Sequence, residues 1–213
     1  MYTNRKRNAM TGIIFSGGYA PSKFLTEFYR EKDAFVIAAD KGYDYALANG
    51  ITPDLYVGDL DSVSHIPKQI NKKIYPSQKD ATDTELAVKA AVEAGCKRIV
   101  LFGGIGSRMD HTLANLFLLI PLTDAGIEML IVNEHNRIQL VTKKADITGK
   151  KGDIISLIPL QDCTGVTTKH LAYPLKESTL LVGSTRGISN VLTAATACVC
   201  IDSGSLLVIE SRD

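Results

Sequence analysis

The stretch TDTELAVKAAVEAGCKRIVLF, residues 82–102, decides the fold because a helical pattern leads directly into a strand pattern. Thr82 and Glu85 have the spacing of a capping box and a glycine follows the pattern, so we predict a helix over Thr82–Ala94. The run RIVLF at Arg98–Phe102 is apolar and β-rich, which is typical of a buried strand. The stretch therefore predicts one helix–strand step of a parallel sheet.

The same alternation extends across the N-terminal part of the chain. Strand and helix patterns alternate up to about residue 133, which favours a parallel sheet covered by helices on both faces. One apolar helix is expected to stop at Pro121, because proline interrupts a helix interior. The further predicted strands are Gly12–Ser16, Phe35–Ala39, Leu55–Val57 and Glu128–Val132, and the further predicted helices are Pro21–Arg30, Tyr43–Ala48 and His111–Ile120.

Beyond about Asn136 the pattern changes to short β-rich runs separated by glycines. The runs are RIQLVT, IISLIPL, GVTTKHLAYPL, STLLVG, TAATACVCI and LLVIES, and no helical period accompanies them. Such spacing is typical of a small antiparallel sandwich. We therefore predict an α/β protein, with an N-terminal parallel-sheet α/β domain over residues 1–135 and a C-terminal antiparallel β-sandwich over residues 136–213.

Composition narrows the class of protein. The chain has 213 residues, 45% hydrophobic and 22% charged, and a formal net charge of +1, so a nucleic-acid partner has no electrostatic support. No apolar run reaches the roughly 18 residues of a membrane span, and the early run GIIF is too short for a secretory signal. The four cysteines show no CxxC spacing, so they are either small buried side chains or, as the alternative, a redox or metal site. We expect a cytoplasmic protein without a membrane partner.

Carboxylates follow the ends of three predicted strands, where ligands bind in open α/β sheets. Asp59 and Asp61 are two residues apart, so in an extended segment both point the same way. Oxygen ligands without paired His or Cys suit Mg²⁺ better than Zn²⁺, and Mg²⁺ usually takes its remaining ligands from phosphate and water. The pattern therefore indicates a nucleotide substrate. The carboxylates at this edge are Asp40, Asp59, Asp61 and Asp110, with Asp80 and Asp83 before the capped helix.

Each of these features also has a structural interpretation. A lone DxD is commonly a turn, the loop GGIG can serve only a turn, and Asp110 can be a helix N-cap. Asp80 and Asp83 can be carboxylates favoured by the helix dipole. Their convergence argues for a cation, because several carboxylates at one edge repel one another strongly. The cations nearby either contact phosphate or are solvated surface charges; they are Lys41, Lys79 and Arg108.

These same residues carry a resemblance to the thiamine pyrophosphokinase family. The chain is similar to that family in ADKG (39–42), ITPD (51–54), GDLDS (58–62), KDATDTE (79–85) and GGIGSRMDHTLAN (103–115). It matches more loosely in SLIP (156–159), YPL (173–175) and GISN (187–190). The resemblance covers nearly the whole chain in the right order.

The resemblance implies an enzyme that converts ATP and thiamine to AMP and thiamine diphosphate, as a homodimer with active sites between subunits. It implies that Asp59, Asp61 and Asp83 are the magnesium and catalytic carboxylates, and that Ser189 and Asn190 lie on the thiamine side. The chain has no Trp, so any aromatic stacking on thiamine must use Tyr or Phe. On the nucleotide and phosphate side the resemblance implies Asp40, Lys79, Asp80, Arg108 and Asp110.

The expected mechanism is direct attack of the thiamine hydroxyl on the β-phosphorus of ATP, with position and charge neutralisation supplying the catalysis. Two other functions remain open at this point. A metal-dependent nucleotide-sugar transferase would also use a DxD at a strand end, and a non-catalytic regulator would bind nucleotide without turnover.

Overall fold

A computed structural model describes residues 10–59, 70–76, 78 and 80–212. Contacts divide the chain into two compact units, Met1–Leu116 with Gly126–Glu128, and Phe117–Ala125 with Met129–Asp213. The second unit thus begins with a helical segment that precedes the predicted boundary at residues 135/136. The division into domains at residues 135/136 stays a prediction from the sequence.

The first unit alternates strands and helices, as the sequence predicts. Its elements are β1 (Thr11–Phe15), α1 (Lys23–Tyr29), β2 (Phe35–Ala39), α2 (Gly42–Ala48), β3 (Leu55–Gly58), β4 (Asn71–Ile74), α3 (Asp83–Glu93), β5 (Arg98–Phe102) and α4 (Met109–Phe117). The strands are parallel and lie in the order β5-β1-β2-β3-β4. β4 has the sequence NKKI and was not predicted, because its largely exposed, lysine-rich pattern suits a sheet edge and lacks an apolar signal.

The core of this unit lies on the central strands. All five residues of β1 are buried, and Phe15 lies 5.2 Å from Phe102 between ring centroids. α3 begins where predicted, since the Thr82 hydroxyl accepts a hydrogen bond from the Glu85 N–H at 3.1 Å. Burial on both faces explains why the strands are continuous apolar runs rather than alternating ones.

The second unit is an antiparallel β structure, which confirms the predicted class. Its elements are α5 (Leu119–Asp124), β6 (Glu128–Val132), β7 (Asn136–Val141), β8 (Lys144–Thr148), β9 (Ile154–Pro159), β10 (Cys163–Lys169), β11 (Ser178–Leu180), β12 (Asn190–Val191), β13 (Thr196–Cys200) and β14 (Leu206–Ser211). β14 pairs with both β7 and β9, while β13 pairs with β10 and β8 in a separate four-stranded sheet. A core of buried aliphatic side chains includes Ile147, Leu157 and Val199.

One predicted helix boundary was wrong. The single helix expected over His111–Ile120 is two helices, α4 and α5, and Pro121 lies inside α5 rather than after a helix. Pro121 is the third residue of α5, in the first turn, where its missing N–H has no intrahelical partner to lose. Proline therefore marks a helix start here.

Candidate active site

The strand order of the first unit reverses at β1. From β1 the chain adds β2, β3 and β4 on one side, and then β5 on the other side. Loops that leave two such strands diverge, and the crevice between them is the usual ligand site of an open α/β sheet. A cleft of about 460 Å³ lies there. It is lined by Ser16, Gly17, Gly18, Tyr19, Asp40, Lys41, Tyr45, Thr82, Asp83, Thr84, Gly103, Gly104, Gly106, Ser107, Arg108, His111, Thr112 and Asn115.

Two glycine loops pack backbone to backbone at the base of this cleft; the first, after β1, contains Ser16, Gly17 and Gly18, and the second, after β5, contains Gly103, Gly104 and Gly106. The Gly18 N–H donates to the Gly103 carbonyl at 2.9 Å, and the Tyr19 N–H donates to the Ile105 carbonyl at 2.7 Å. A Cβ added at Gly18 would lie 2.8 Å from the Ile105 carbonyl carbon, closer than real contacts allow. Gly103 has φ 68°, a conformation that glycine adopts without steric cost. Glycine is thus needed for the two loops to meet.

Side chains fix the glycine loops from outside. The Asn115 amide donates to the Gly104 carbonyl at 2.8 Å, and the Gly106 N–H donates to the Thr112 hydroxyl at 3.2 Å. The Tyr45 hydroxyl donates to the Gly18 carbonyl at 3.1 Å. Asn115 and Thr112 are buried on α4, so that helix holds the second loop in place.

The ends of β2 and β3 bring charge to the cleft. Asp40 follows β2 in a left-handed conformation with φ 48°, which Asp tolerates better than most residues. A Cβ at Gly58 would clash with the Asp40 carboxylate and with the Tyr56 hydroxyl, so the glycine leaves room for that carboxylate. Lys41 lines the same cleft, with its Nζ 5.6 Å from the centroid of the Tyr45 ring.

The N-terminus of α3 forms another wall. Thr82, Asp83 and Thr84 all line the cleft, and the Thr84 hydroxyl shares a buried hydrogen bond of 2.6 Å with the Ser16 hydroxyl. That bond joins the start of α3 to the first glycine loop. The positive end of the helix dipole therefore faces the cleft, where it favours an anion.

Arg108 and Asp110 form an exposed bidentate pair at the start of α4. Arg108 donates through Nε at 3.2 Å and through a terminal nitrogen at 2.5 Å to the two carboxylate oxygens. This bonding lowers the pKa of Asp110 to about 2 and raises the pKa of Arg108. Asp110 is the second residue of α4, so it is not the N-cap that one interpretation of the sequence offered. The remaining guanidinium N–H groups can still meet a phosphate.

The structure gathers some of the predicted residues and leaves others apart. Of the described candidates, Asp40, Lys41, Asp83 and Arg108 line the cleft. Asp59 directly follows β3, but neither it nor the exposed Asp80 and Asp110 is among the described lining residues. The predicted Asp61 and Lys79 lie outside the residues that the structure describes.

Several lining residues were not predicted from the sequence. The first glycine loop, with Ser16, Gly17 and Gly18, was overlooked because a short SGG after a strand is a common turn. Its position at the end of an apolar strand was the available signal. Thr84 and Asn115 gave no local signal, because their roles depend on partners far along the chain.

In the second unit, Ser189 and Asn190 have structural partners. The Ser189 N–H donates to the Ser156 hydroxyl at 3.1 Å, with Ser189 at φ 55°. Asn190 is 4% exposed and its amide bonds to the backbone of Tyr173. A direct contact between Asn190 and thiamine stays a prediction.

Within the described part of the chain, no cluster of three or more His, Cys, Asp or Glu side chains has the geometry to hold a metal by itself. Across those same residues, no helix combines the length and apolarity needed to cross a membrane.

A glycine-lined cleft at the switch point of a parallel sheet, together with an antiparallel β unit, defines a two-unit α/β protein with a cleft in the usual ligand position of an open sheet. The family model of the thiamin pyrophosphokinase catalytic domain matches residues 26–131, and that of the thiamin pyrophosphokinase vitamin B1 binding domain matches residues 136–207. The chain therefore belongs to the thiamine pyrophosphokinase family.

Individual relatives agree with this family. A thiamine pyrophosphokinase of Bacillus subtilis (strain 168) is 31% identical over 211 residues, covering 94% of this chain and 98% of the relative. The crystal structure of thiamine pyrophosphokinase from Bacillus subtilis superimposes with a TM-score of 0.86 at 29% identity, covering 95% of this chain and 99% of that one. Yeast thiamin pyrophosphokinase, at 17% identity and a TM-score of 0.74, shares the fold, covering 99% of this chain and 88% of that one.

Proposed function

We propose that this chain is a thiamine diphosphokinase that transfers a pyrophosphoryl group from ATP to the hydroxyl of thiamine, giving thiamine diphosphate and AMP. The observation that carries the proposal is the glycine-lined cleft in the unit that matches the catalytic family model. The match to a vitamin B1 binding domain supports thiamine as the acceptor. The same matches favour this enzyme over a nucleotide-sugar transferase or a non-catalytic regulator.

The cleft suits the polyphosphate of ATP. Its floor is two glycine loops, where the backbone can approach phosphate oxygens closely, and one wall is the positive end of α3. Lys41 and Arg108 add positive charge on the described lining of the cleft. We propose that Lys79 also contacts the phosphates. Asp40, Asp80 and Asp110 are proposed to order these cations and the nucleotide, as Asp110 already does for Arg108.

The donor chemistry of the site fits Mg²⁺. Asp40 and Asp83 supply oxygen atoms to the cleft and Asp59 follows the neighbouring strand end, while no cysteine is among the described lining residues. A magnesium ion is usually held by one or two carboxylates and completed by phosphate and water, so a preformed cluster of three is not required. We propose Asp59, Asp61 and Asp83 as its ligands. The ion would neutralise charge that develops on the phosphate oxygens.

The chain's own residues then position the reactants. The glycine loops and the cations hold the phosphates in line with the attacking hydroxyl, and one carboxylate among Asp59, Asp61 and Asp83 accepts the hydroxyl proton. The bond between the β-phosphorus and the oxygen that joins it to the α-phosphorus breaks, and AMP leaves with that oxygen. Ser189 and Asn190 are proposed on the thiamine side.

The proposal includes the organisation of the enzyme. We propose domains at residues 1–135 and 136–213. The two family matches support this division, because the catalytic-domain match ends at residue 131 and the vitamin B1 binding-domain match begins at residue 136. We also propose a homodimer, which sedimentation of the purified chain can test, and a cytoplasmic location, which remains a prediction from the sequence.

The reaction is tested by incubating purified protein with ATP, thiamine and MgCl₂ and separating the products by chromatography. We expect AMP and thiamine diphosphate in equal amounts, loss of both with EDTA, and recovery when excess Mg²⁺ is restored. The formation of ADP and thiamine monophosphate would refute pyrophosphoryl transfer. Omission of thiamine is the control, because AMP release without it would indicate ATP hydrolysis.

A further inference from the structure

Two cysteines lie side by side on one strand of the second unit. Cys198 and Cys200 are two residues apart on β13, and the residues that alternate with them, Ala197 and Val199, are buried in the core. The two thiols therefore share the face of the strand that points away from that core. Both are half-buried, neither forms a disulfide, and their Sγ atoms are 3.5 Å apart.

Neighbouring strands hold the backbone of this pair in place. β13 pairs with β8 along one edge and with β10 along the other. In the register with β8, Lys144 lies opposite Cys200 and Asp146 lies opposite Cys198. The Lys144 Nζ is 3.1 Å from the Asp146 carboxylate, so these two charges neutralise each other beside the thiols. A strand that is bonded along both edges cannot fold up to bring its own side chains closer.

This backbone does not allow a direct disulfide between Cys198 and Cys200. Residues two apart in a strand are about 6.6 Å apart, and their Cβ atoms project in the same direction. A disulfide needs Cβ atoms about 3.5–4.5 Å apart. The side chains lean together until their sulfurs are in contact, but the Cβ atoms stay with the strand. The two sulfurs can therefore be joined only through a further atom.

One soft atom fits between the sulfurs. Two bonds of about 2.3 Å, the length of a zinc–thiolate bond, would join sulfurs 3.5 Å apart at an angle of about 100°. A zinc ion would need further ligands to complete its four. Among the residues that the structure describes, no group of three or more His, Cys, Asp or Glu side chains could hold a metal. Trivalent arsenic needs only the two sulfurs, because its third bond is to its own substituent.

We propose that Cys198 and Cys200 form a binding site for trivalent arsenicals, with one arsenic atom bridging the two sulfurs. In the reaction with an arsenic oxide, each sulfur forms a bond to arsenic and the arsenic–oxygen bond breaks. Both thiol protons pass to that oxygen, which leaves as water. Arsenic stays trivalent, so the step needs no oxidant or reductant. The inference does not depend on the proposed reaction, since neither thiol is among the described lining residues of the cleft.

The protonation of Cys198 suits this reaction. Burial raises the pKa of the Cys198 thiol to about 11, and its hydrogen bond with Cys200 acts in the same direction. Alkylating reagents attack the thiolate, so we expect iodoacetamide to modify Cys198 slowly at neutral pH. The oxygen of an arsenic oxide accepts the thiol protons as the sulfur–arsenic bonds form, so the arsenical does not require a preformed thiolate.

The test adds one equivalent of phenylarsine oxide to the purified protein, with a phosphine reductant that supplies no competing thiol. Native mass spectrometry should show one adduct per chain, with the mass of phenylarsine oxide less one water. An excess of a small dithiol should remove the adduct. Calorimetric titration gives the affinity.

Substitutions at the pair separate one thiol from two. Cys198→Ser and Cys200→Ser should each weaken binding by at least about 100-fold, because the second sulfur of a pair binds intramolecularly. The matched control is Cys96→Ala, which removes a buried thiol of the first unit and should keep the wild-type affinity. Cys200→Ser combined with Thr196→Cys moves the pair by one repeat along the same face of β13 and should restore binding. The Tm of each variant checks folding, and alanine replaces serine where a variant is unstable.

Four results would overturn the assignment. They are the absence of an adduct in the wild type, wild-type affinity in either single serine variant, and failure of the moved pair to restore binding in a folded variant. The fourth is Zn²⁺ binding as tight as that of the arsenical, which would indicate a metal site with further ligands. Oxidised glutathione tests the strand geometry separately. Loss of two hydrogens from the native wild type, but not from Cys198→Ser, would show a direct disulfide and contradict the need for a bridging atom.

Discussion

Replacing Gly18 by alanine should separate the two glycine loops of the cleft. The new Cβ would lie 2.8 Å from the Ile105 carbonyl carbon and clash with the carbonyl oxygens of Ile105 and Gly103. Inserting a methyl group into such a tight contact costs about 1–3 kcal/mol. The two backbone hydrogen bonds made by Gly18 and Tyr19 each contribute about 1 kcal/mol net. Since these effects overlap, we expect a loss of roughly 2–4 kcal/mol.

Differential scanning calorimetry can measure this change. For a chain of this size the loss corresponds to a fall in Tm of roughly 10 °C. The matched control is Gly17→Ala, one residue earlier, where the new Cβ would meet only the Lys41 Cβ at 3.8 Å, an ordinary contact. Gly17→Ala should therefore change stability by less than about 1 kcal/mol, in either direction.

The Gly18→Ala variant should also bind ATP more weakly, because its displaced loops no longer meet at the floor of the cleft. Calorimetric titration with a non-hydrolysable ATP analogue, below the Tm of the variant, measures that affinity. A Gly18→Ala protein as stable as the wild type, or equal destabilisation by both substitutions, would refute the close packing of the loops.

Two further predictions concern charged groups. Asp61→Asn should keep the Tm and lower the rate of AMP formation on the order of 100-fold, which is equivalent to roughly 3 kcal/mol of transition-state stabilisation. The control Asp33→Asn changes an exposed carboxylate and should keep the wild-type rate. Near-normal turnover in folded Asp61→Asn would exclude Asp61 as a magnesium ligand. Asp110 should titrate near a pKa of about 2, and Arg108→Ala should return this pKa towards 3.8, as carboxyl NMR can measure. Because the pKa of Asp110 is lowered in the folded protein, the small stabilisation from this exposed pair is present above pH 3.8 and is lost as the pH falls through about 2. An unchanged pKa of Asp110 in Arg108→Ala would contradict the hydrogen bond from Arg108 as the cause.

Local chemistry explains the elements that could be predicted. The Thr82 cap and the continuous apolar runs of β1 and β5 depend on neighbours in the sequence, so they were recognisable without the fold. Pro121 shows the limit of such signals, because proline fits the first turn of a helix as well as the position after one. The sequence could not distinguish the two.

The candidate site divides in the same way. The sequence by itself determined which strand ends carry carboxylates, because the carboxyl ends of parallel strands share one edge of the sheet. Its ordered motifs also determined the family, which the two family matches confirm. Both conclusions depend on residue identity and order alone.

Only the tertiary structure decided which loops meet and what each side chain holds. The strand order sets the loop after β1 against the loop after β5, and the pairing of Gly18 with Gly103 spans a separation in sequence that no local pattern encodes. Likewise Asn190 holds Tyr173, seventeen residues earlier, because the chain folds back through the Leu171–Leu192 bridge. Hydrogen-bond partners are chosen by distance in space, and folding alone sets that distance.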